Sequence, residues 1–203
     1  MIEAVERAVG PVPVAGMVAP NRNAEVRMFG MFNQLPSRRV IVRRFTPADI
    51  EDFCAYQSDP QVREYMRGNP MDVEQTAEYL LTQSALEERQ TGSWHAYAVQ
   101  HVESGSVIGD VGFYLVSENE GDIGFQLHPA YYRQGFGLEA MTTFLPYVFE
   151  TLGLERVTAG CDQANSASIA LLERLGMRRH MATGSDNSYH YDLARDEWLA
   201  KDL

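Results

Sequence analysis

The chain has 203 residues, of which 45% are hydrophobic, and this is ordinary for one globular domain with a sizeable core. Seventeen Lys and Arg against 28 Asp and Glu give a formal net charge of −11, which argues against nucleic acid as a partner because phosphate contacts need clustered cations. The acidity favours a cationic partner, although solubility alone also accounts for an acidic surface.

The sequence also argues against a membrane protein and a metal site. No apolar run approaches the roughly 20 residues that span a bilayer, and the first residues include acids where a signal peptide carries cations. Cys54 and Cys161 are too few and too far apart for a disulfide framework or a zinc site. We therefore expect a reduced, cytoplasmic protein with no metal and no membrane partner.

Residues 1–37 are rich in Val, Pro, Gly and Ala and show no lasting helical or alternating period. We interpret them as an arm or linker that packs either on the domain or on a second subunit, so a homodimer is one possibility. Met28 and Met31 are equally candidates for the true start. Residues 38–203 are predicted to form one domain.

The pattern becomes regular at residue 39. The alternation in RVIVRRF predicts a strand with Val40 and Val42 on one face. Thr46 followed by Pro47 is typical of an N-cap and a first helical residue, and predicts a helix through about Ser58.

Asp72 is the expected N-cap of a second helix, which Gly92 ends. Four apolar residues of this segment share one face: Ala77, Leu80, Leu81 and Leu86. Three β-rich runs follow, SWHAYAVQHV, SVIGDVGFYLV and DIGFQLHP, and the turn ESGS between the first two is typical of a hairpin. These runs predict three antiparallel strands.

The stretch RQGFGLEA, residues 133–140, comes next, and apolar residues at helical spacing follow it up to Gly153. Pro146 is expected to kink this helix because it lacks a backbone donor. RVTAGC is the next strand, Asn165 caps a short helix that ends at Gly176, and RRHMATG and SYHYDLA predict a closing hairpin. The element order βααβββαβαββ predicts a mixed α/β sheet.

The pattern Gly135-x-Gly137-x-x-Ala140 has the spacing of a dinucleotide-binding loop, but its context differs. A Rossmann loop directly follows its first strand, whereas PAYYRQ intervenes here, and Asp162 is too loosely placed to be the ribose-binding acid. Glycines that open a helix still leave backbone N–H groups uncovered for a phosphate, and Arg133 can add a charge-assisted contact. A glycine turn needed only for packing is the alternative.

Four features occur together between Gly121 and Met177: the strand IGFQLHP, the loop followed by Glu-Ala, the segment LGLERV, and a helix that starts at NSAS and ends in ERLGM. Together they resemble the GNAT N-acetyltransferase superfamily, in particular the branch of the ribosomal-protein N-terminal acetyltransferases. The resemblance extends loosely over residues 39–198. It implies a mixed, mostly antiparallel central sheet with one parallel, split pair of strands and flanking helices.

The resemblance implies transfer of an acetyl group from acetyl-CoA to a primary amine, either a protein N-terminus or a small cationic amine. The loop would hold the coenzyme pyrophosphate, and the strand before it would pair with the pantetheine arm and polarise the thioester carbonyl. The implied binding residues are Arg133, Gln134, Gly135, Phe136, Gly137 and Leu138 in the loop, Gln126, Leu127 and His128 on the strand, and Asn165. Tyr132 departs from the Gln or Arg that opens the family loop.

Ser168 would protonate the departing thiolate, with a first-turn serine of no special role as the alternative. Asp122 would take the proton of the amine, directly or through water, or else simply end a turn. His128 and Asp186 are further candidates for this base. No Cys is placed to form an acetyl-enzyme, so direct transfer is expected. Two hypotheses compete with this one: a non-catalytic acyl-CoA-binding sensor and an NAD oxidoreductase.

Overall fold

The computed structural model describes Phe32, residues 34–180 and residues 187–200. Eight strands in these residues form one sheet: β1 (Leu35–Pro36), β2 (Val40–Arg44), β3 (Trp94–His101), β4 (Val107–Leu115), β5 (Glu120–Leu127), β6 (Arg156–Asp162), β7 (Arg178–His180) and β8 (Ser188–Ala194). Their spatial order is β1-β2-β3-β4-β5-β6-β8-β7. Only β5 and β6 are parallel neighbours in the described sheet. The mixed, mostly antiparallel sheet with one parallel pair is confirmed.

Six α-helices accompany the sheet in the described residues: α1 (Ile50–Gln57), α2 (Pro60–Arg63), α3 (Val73–Ala85), α4 (Phe136–Pro146), α5 (Ser166–Arg174) and α6 (Arg195–Leu199). Five residues of π-helix, Tyr147–Thr151, continue α4 after Pro146. The expected disturbance at this proline therefore takes the form of a change in helix type. No described helix combines the length and apolar character needed to cross a membrane.

The two faces of the sheet bury different cores. The larger core lies between the sheet and α4, and Phe113, Met141 and Phe144 are fully buried in it. The smaller core lies under α1 and α3 and contains Phe53 and Leu80. Because side chains alternate along a strand, β3 and β4 contribute to both cores.

The N-terminal end of the described chain contacts the sheet. Leu35–Pro36 pairs with β2, and the ring of Phe32 lies 4.4 Å from the Tyr97 ring and 4.6 Å from the Tyr147 ring. The boundary at residue 37 stays a prediction. The rest of the proposed arm, and Asp186 in the closing turn, lie outside the described residues.

The buried face of α3 differs from the one that the apolar pattern predicts. Leu80 is fully buried, but Leu81 is 60% exposed, and the polar Thr76 and Gln83 are buried instead. Gln83 is buried because its amide forms hydrogen bonds with main-chain groups of β3. Its Nε2 donates to the Trp94 carbonyl at 2.9 Å, and its Oε1 accepts from the Ala96 N–H at 2.8 Å. The helix also ends at Ala85, well before Gly92.

A buried acid lies in the smaller core. Asp110 on β4 is 3% exposed, and its carboxylate accepts a hydrogen bond from the Tyr56 hydroxyl at 2.8 Å. Burial raises the pKa of Asp110 from its ordinary value of 3.8 to about 7, because desolvation outweighs the hydrogen bond. Folding therefore binds a proton at this side chain around pH 5 to 6.

We expect Asp110→Asn to change how stability depends on pH. Between pH 4 and 7 the native state holds more protons at Asp110 than the unfolded state, so the wild-type free energy of unfolding falls as pH rises and then levels off. The Asn variant lacks this contribution, so its Tm relative to wild type should rise from pH 5 to pH 7.5. Asp72→Asn, which keeps an N-cap oxygen on α3, is the control. Parallel curves for Asp110→Asn and wild type would contradict the assignment.

Candidate active site

A cleft opens where β5 separates from β6. The two strands pair over only three residues each, Glu120–Asp122 with Arg156–Thr158. Beyond this point they diverge around a cleft of about 530 Å³, which the loop after β5, the start of α5 and the segment after α2 complete. The split of the parallel pair that the sequence resemblance implies is therefore present, and it coincides with a cavity.

The hydrogen bonds of β5 determine which main-chain groups face this cleft. The His128 N–H donates to the Ile108 carbonyl on β4 at 2.7 Å, and Gln126 stands opposite Asp110 in the same register. Because main-chain groups alternate in direction along an antiparallel strand, those of Phe125 and Leu127 point away from β4 and toward β6. With β6 diverged, these groups are left to a ligand.

This register shows which of the three predicted strand residues turn their main-chain groups toward the cleft. The main chain of Leu127 faces the cleft, whereas the main chains of Gln126 and His128 are directed to β4. Phe125 is an additional candidate, which the sequence pattern missed because alternation does not reveal which edge of a strand is free. Gln126 still lines the cleft through its side chain, whose Oε1 is buried and has no hydrogen-bond partner in the structure.

The loop after β5 presents a helix N-terminus to the cleft. Gly135 is the N-cap of α4 and has φ of +83°, a left-handed conformation that glycine adopts without strain. No side chain caps this helix, so the N–H groups of its first three residues, Phe136 to Leu138, have no helical partner. They lie at the positive end of the helix dipole, which suits a phosphate.

Gly137 allows the loop to approach its neighbours closely. A Cβ at this position would lie 3.2 Å from Leu171 Cδ2 on α5 and 3.3 Å from Leu127 Cδ1 on β5. Both are tight contacts, so a larger residue would require the Leu171 and Leu127 side chains to move by a few tenths of an ångström. The second glycine of the loop is therefore explained by packing.

Asn165 and Ser168 meet at the start of α5, on the β6 side of the cleft. The Asn165 Oδ1 accepts a hydrogen bond from the Ser168 N–H at 3.0 Å, which is an N-cap. Both residues line the cleft. The cap uses only the oxygen of the amide, so the Asn165 NH₂ group and the Ser168 hydroxyl are the groups that can act on a ligand.

Three of the predicted site residues do not line the cleft, namely Asp122, His128 and Gln134. Asp122 lies one residue before the divergence, and its carboxylate accepts a hydrogen bond from the Thr158 hydroxyl at 2.9 Å. The His128 ring caps the next turn by accepting from the Ala130 N–H at 3.1 Å. Gln134 is turned to the outer side of the loop, where its carbonyl accepts from Arg39.

The mouth of the cleft carries charges of both signs. Arg133 lies in the loop and Arg174 at the end of α5. Glu64 and Asp162 lie on opposite walls near Tyr65. The Tyr65 hydroxyl reaches the Ala164 carbonyl at 3.4 Å and so links the two walls. A hydrogen bond to Glu64 raises the pKa of Tyr65, and Asp162 adds to this shift. Glu64 and Asp162 therefore both act on the tyrosine that joins the two walls.

Cys161 is the cysteine that lines the cleft. Burial raises the pKa of its thiol to about 11, so the thiol is protonated and a weak nucleophile near neutral pH. No group of three or more His, Cys, Asp or Glu among the described residues is arranged to hold a metal ion.

Comparisons with known proteins identify the family. A model of the acetyltransferase (GNAT) domain matches residues 39–178. The uncharacterized N-acetyltransferase YoaA of Bacillus subtilis is 29% identical over 152 residues, which cover 73% of this chain and 85% of YoaA. The uncharacterized N-acetyltransferase p20 of Bacillus licheniformis is 30% identical over 150 residues, or 71% of this chain and 82% of p20.

The fold has solved counterparts. A GNAT-family acetyltransferase from Bacillus anthracis superposes with a TM-score of 0.69 at 24% identity, over 81% of this chain and all of that chain. The match to the domain model spans more than half of the sequence and contains β2 to α5, the cleft and its loop. The chain therefore belongs to the GNAT family of acetyltransferases.

Proposed function

We propose that this protein transfers an acetyl group from acetyl-CoA directly to the primary amine of a cationic acceptor, a protein N-terminus or a small molecule. One observation carries the proposal: the cleft brings together the free edge of β5, the uncapped N-terminus of α4 and the Asn165–Ser168 pair. These groups match a long ligand whose phosphates lie at the start of α4 and whose amide-containing chain runs along β5 to the Asn165–Ser168 pair.

The residues present fit coenzyme A. The uncapped N–H groups at Phe136 to Leu138 would hold the pyrophosphate, with Arg133 adding a charge-assisted contact. The main chains of Phe125 and Leu127 would pair with the pantetheine arm as an additional strand does. The Asn165 NH₂ group and the Gln126 Oε1 would form the remaining hydrogen bonds to coenzyme A. The ligand would thereby give a donor to the buried Gln126 Oε1, which has no hydrogen-bond partner in the structure.

Acetyl-CoA would supply an activated thioester, and the chain would supply donors to its carbonyl and move two protons. A main-chain N–H at the split of β5 and β6 is the donor that would polarise the carbonyl, an effect worth roughly 3 kcal/mol per donor. The Ser168 hydroxyl would give a proton to the departing thiolate. Asp122 lies just beyond the closed end of the cleft and would take the proton of the amine through a water molecule.

The acidic side of the mouth supports a cationic acceptor. Glu64 and Asp162 line the cleft on the two walls that Tyr65 joins, and the chain as a whole carries a formal charge of −11. Such a field concentrates amines that are protonated in solution. The loop and NSAS motifs favour the ribosomal-protein N-terminal acetyltransferase branch, and a basic N-terminal peptide is an acceptor that satisfies both arguments.

Thermal unfolding with acetyl-CoA tests the coenzyme site. Acetyl-CoA at about 100 times its Kd should stabilise the fold by about 2.7 kcal/mol, which raises Tm by roughly 5 to 11 °C for a chain of this size. NAD should leave Tm unchanged because no ribose-binding acid follows the loop at Rossmann spacing. An unchanged Tm with acetyl-CoA, or an equal rise with NAD, would contradict the proposal.

Ser168→Ala and Asp122→Asn test the two proton transfers. We expect both variants to bind acetyl-CoA with wild-type Kd and to turn over 10² to 10⁴ times more slowly, the usual range for a lost acid or base. The Asp122→Asn defect should shrink at high pH, where more of the amine is already neutral, whereas the Ser168→Ala defect should not. Undiminished turnover in either variant would show that the substituted residue has no part in the mechanism. Coenzyme binding with no thiol release in the wild type, across a wide amine panel, would indicate the sensor function.

Ionic strength and a variant that removes one charge test whether electrostatic attraction brings the acceptor to the cleft. The acceptor KM should rise with ionic strength, and Glu64→Gln should raise it at low salt while leaving the KM of acetyl-CoA unchanged. Glu78→Gln, an exposed substitution on α3 away from the cleft, is the matched control. An acceptor KM that is independent of salt and of Glu64 would rule out electrostatic attraction at this mouth.

A further inference from the structure

The loop that forms the pyrophosphate site is held from its outer side by one residue of the β1–β2 connection. The Arg39 Nη1 donates to the Gln134 carbonyl at 3.0 Å, and its guanidinium lies 4.2 Å from the centre of the Phe136 ring. The Arg39 Nη2 is also the atom nearest to a Cβ built at Gly135, at 3.5 Å. One side chain therefore spans three consecutive loop residues.

Glu139, in the first turn of α4, holds Arg39 in this position. Its carboxylate accepts from the Arg39 Nε and from the Arg39 main-chain N–H, each at 2.6 Å, and from the Ser37 hydroxyl at 2.8 Å. These bonds lower the pKa of Glu139 despite its partial burial, so the carboxylate is ionised at neutral pH. The β1–β2 turn and the loop are thus joined through one carboxylate.

The bond to the Gln134 carbonyl has a geometric consequence for the loop. A trans peptide is planar, and its C=O and the following N–H point in opposite directions. A Gln134 carbonyl turned outward to Arg39 therefore turns the Gly135 N–H inward, toward the cleft that Gly135 lines. The position of this peptide plane also sets where the next residues begin the helix.

We propose that Arg39, held by Glu139, is a positioning residue that orients the loop for coenzyme binding, and this inference rests on the proposed function. Its role is orientation and not charge. The guanidinium forms an ion pair with Glu139, so the pair adds little net charge beside the phosphate site. A planar fork is needed to reach the Glu139 carboxylate and the Gln134 carbonyl together, and a lysine ammonium lacks this geometry.

Calorimetric titration of the full chain with coenzyme A tests this role. Arg39→Lys and Glu139→Gln should each weaken coenzyme A binding about tenfold, while kcat at saturating acetyl-CoA stays within about twofold of wild type. The control is Arg156→Lys, which alters an exposed ion pair with Glu120 at the opposite end of β5 and should leave Kd unchanged. The titration reads binding alone, so it does not depend on finding the acceptor.

Dephospho-coenzyme A separates loop orientation from direct contact with the 3′-phosphate. Orientation predicts the same fold loss for both coenzymes, because both carry the pyrophosphate. A loss confined to coenzyme A, a wild-type Kd in Arg39→Lys, or a lowered Tm with unchanged Kd would overturn the inference. Ser37→Ala removes the Ser37 bond to Glu139 and the bonds of this hydroxyl to Val40 but keeps both Arg39 bonds to Glu139. It should give a smaller loss of coenzyme A affinity, and it serves where the other variants fold poorly. Failure of the wild type to bind coenzyme A would instead refute the proposed function.

Discussion

The structure depends on the short pairing of β5 with β6. A strand in the middle of a sheet normally satisfies its main-chain groups on both edges, and leaving buried N–H and C=O groups unpaired is costly. Here β4 satisfies one edge of β5 along its whole length, while β6 satisfies the other for only three residues. Over the rest of this edge β5 has no neighbouring strand, and the cleft is the space that such a strand would occupy.

The rest of the fold keeps this opening from closing. On the face of the larger core, α4 packs on the central strands, and its N-terminus is thereby fixed at the end of β5. The start of α4 is also tied to β2 through Glu139 and Arg39. On the other side of the opening, β6 is paired along its full length with β8. Each wall is thus supported from outside the cleft, which leaves the inner groups free for a ligand.

Much of the fold could be predicted from residue patterns, because the strands alternate regularly and caps such as Asp72 and Asn165 are local signals. The buried face of α3 could not, because Gln83 is buried by its bonds to Trp94 and Ala96, which are known only once β3 lies beside the helix. The same limit applies to Arg39. Its partners Gln134 and Glu139 are about 100 residues away in the chain, and no periodicity links them.

The two halves of the site differ in how closely they constrain the sequence. The half that we propose for coenzyme A consists mainly of main-chain groups, on β5 and at the start of α4, so it needs glycines at two positions and a strand of the right length. The half that we propose for the acceptor consists of side chains, such as Glu64 and Asp162, so a single substitution there would change the charge that an acceptor meets. On this proposal the choice of acceptor depends on side chains, whereas coenzyme binding depends mainly on the main chain, so a substitution can change the acceptor while the coenzyme site stays intact.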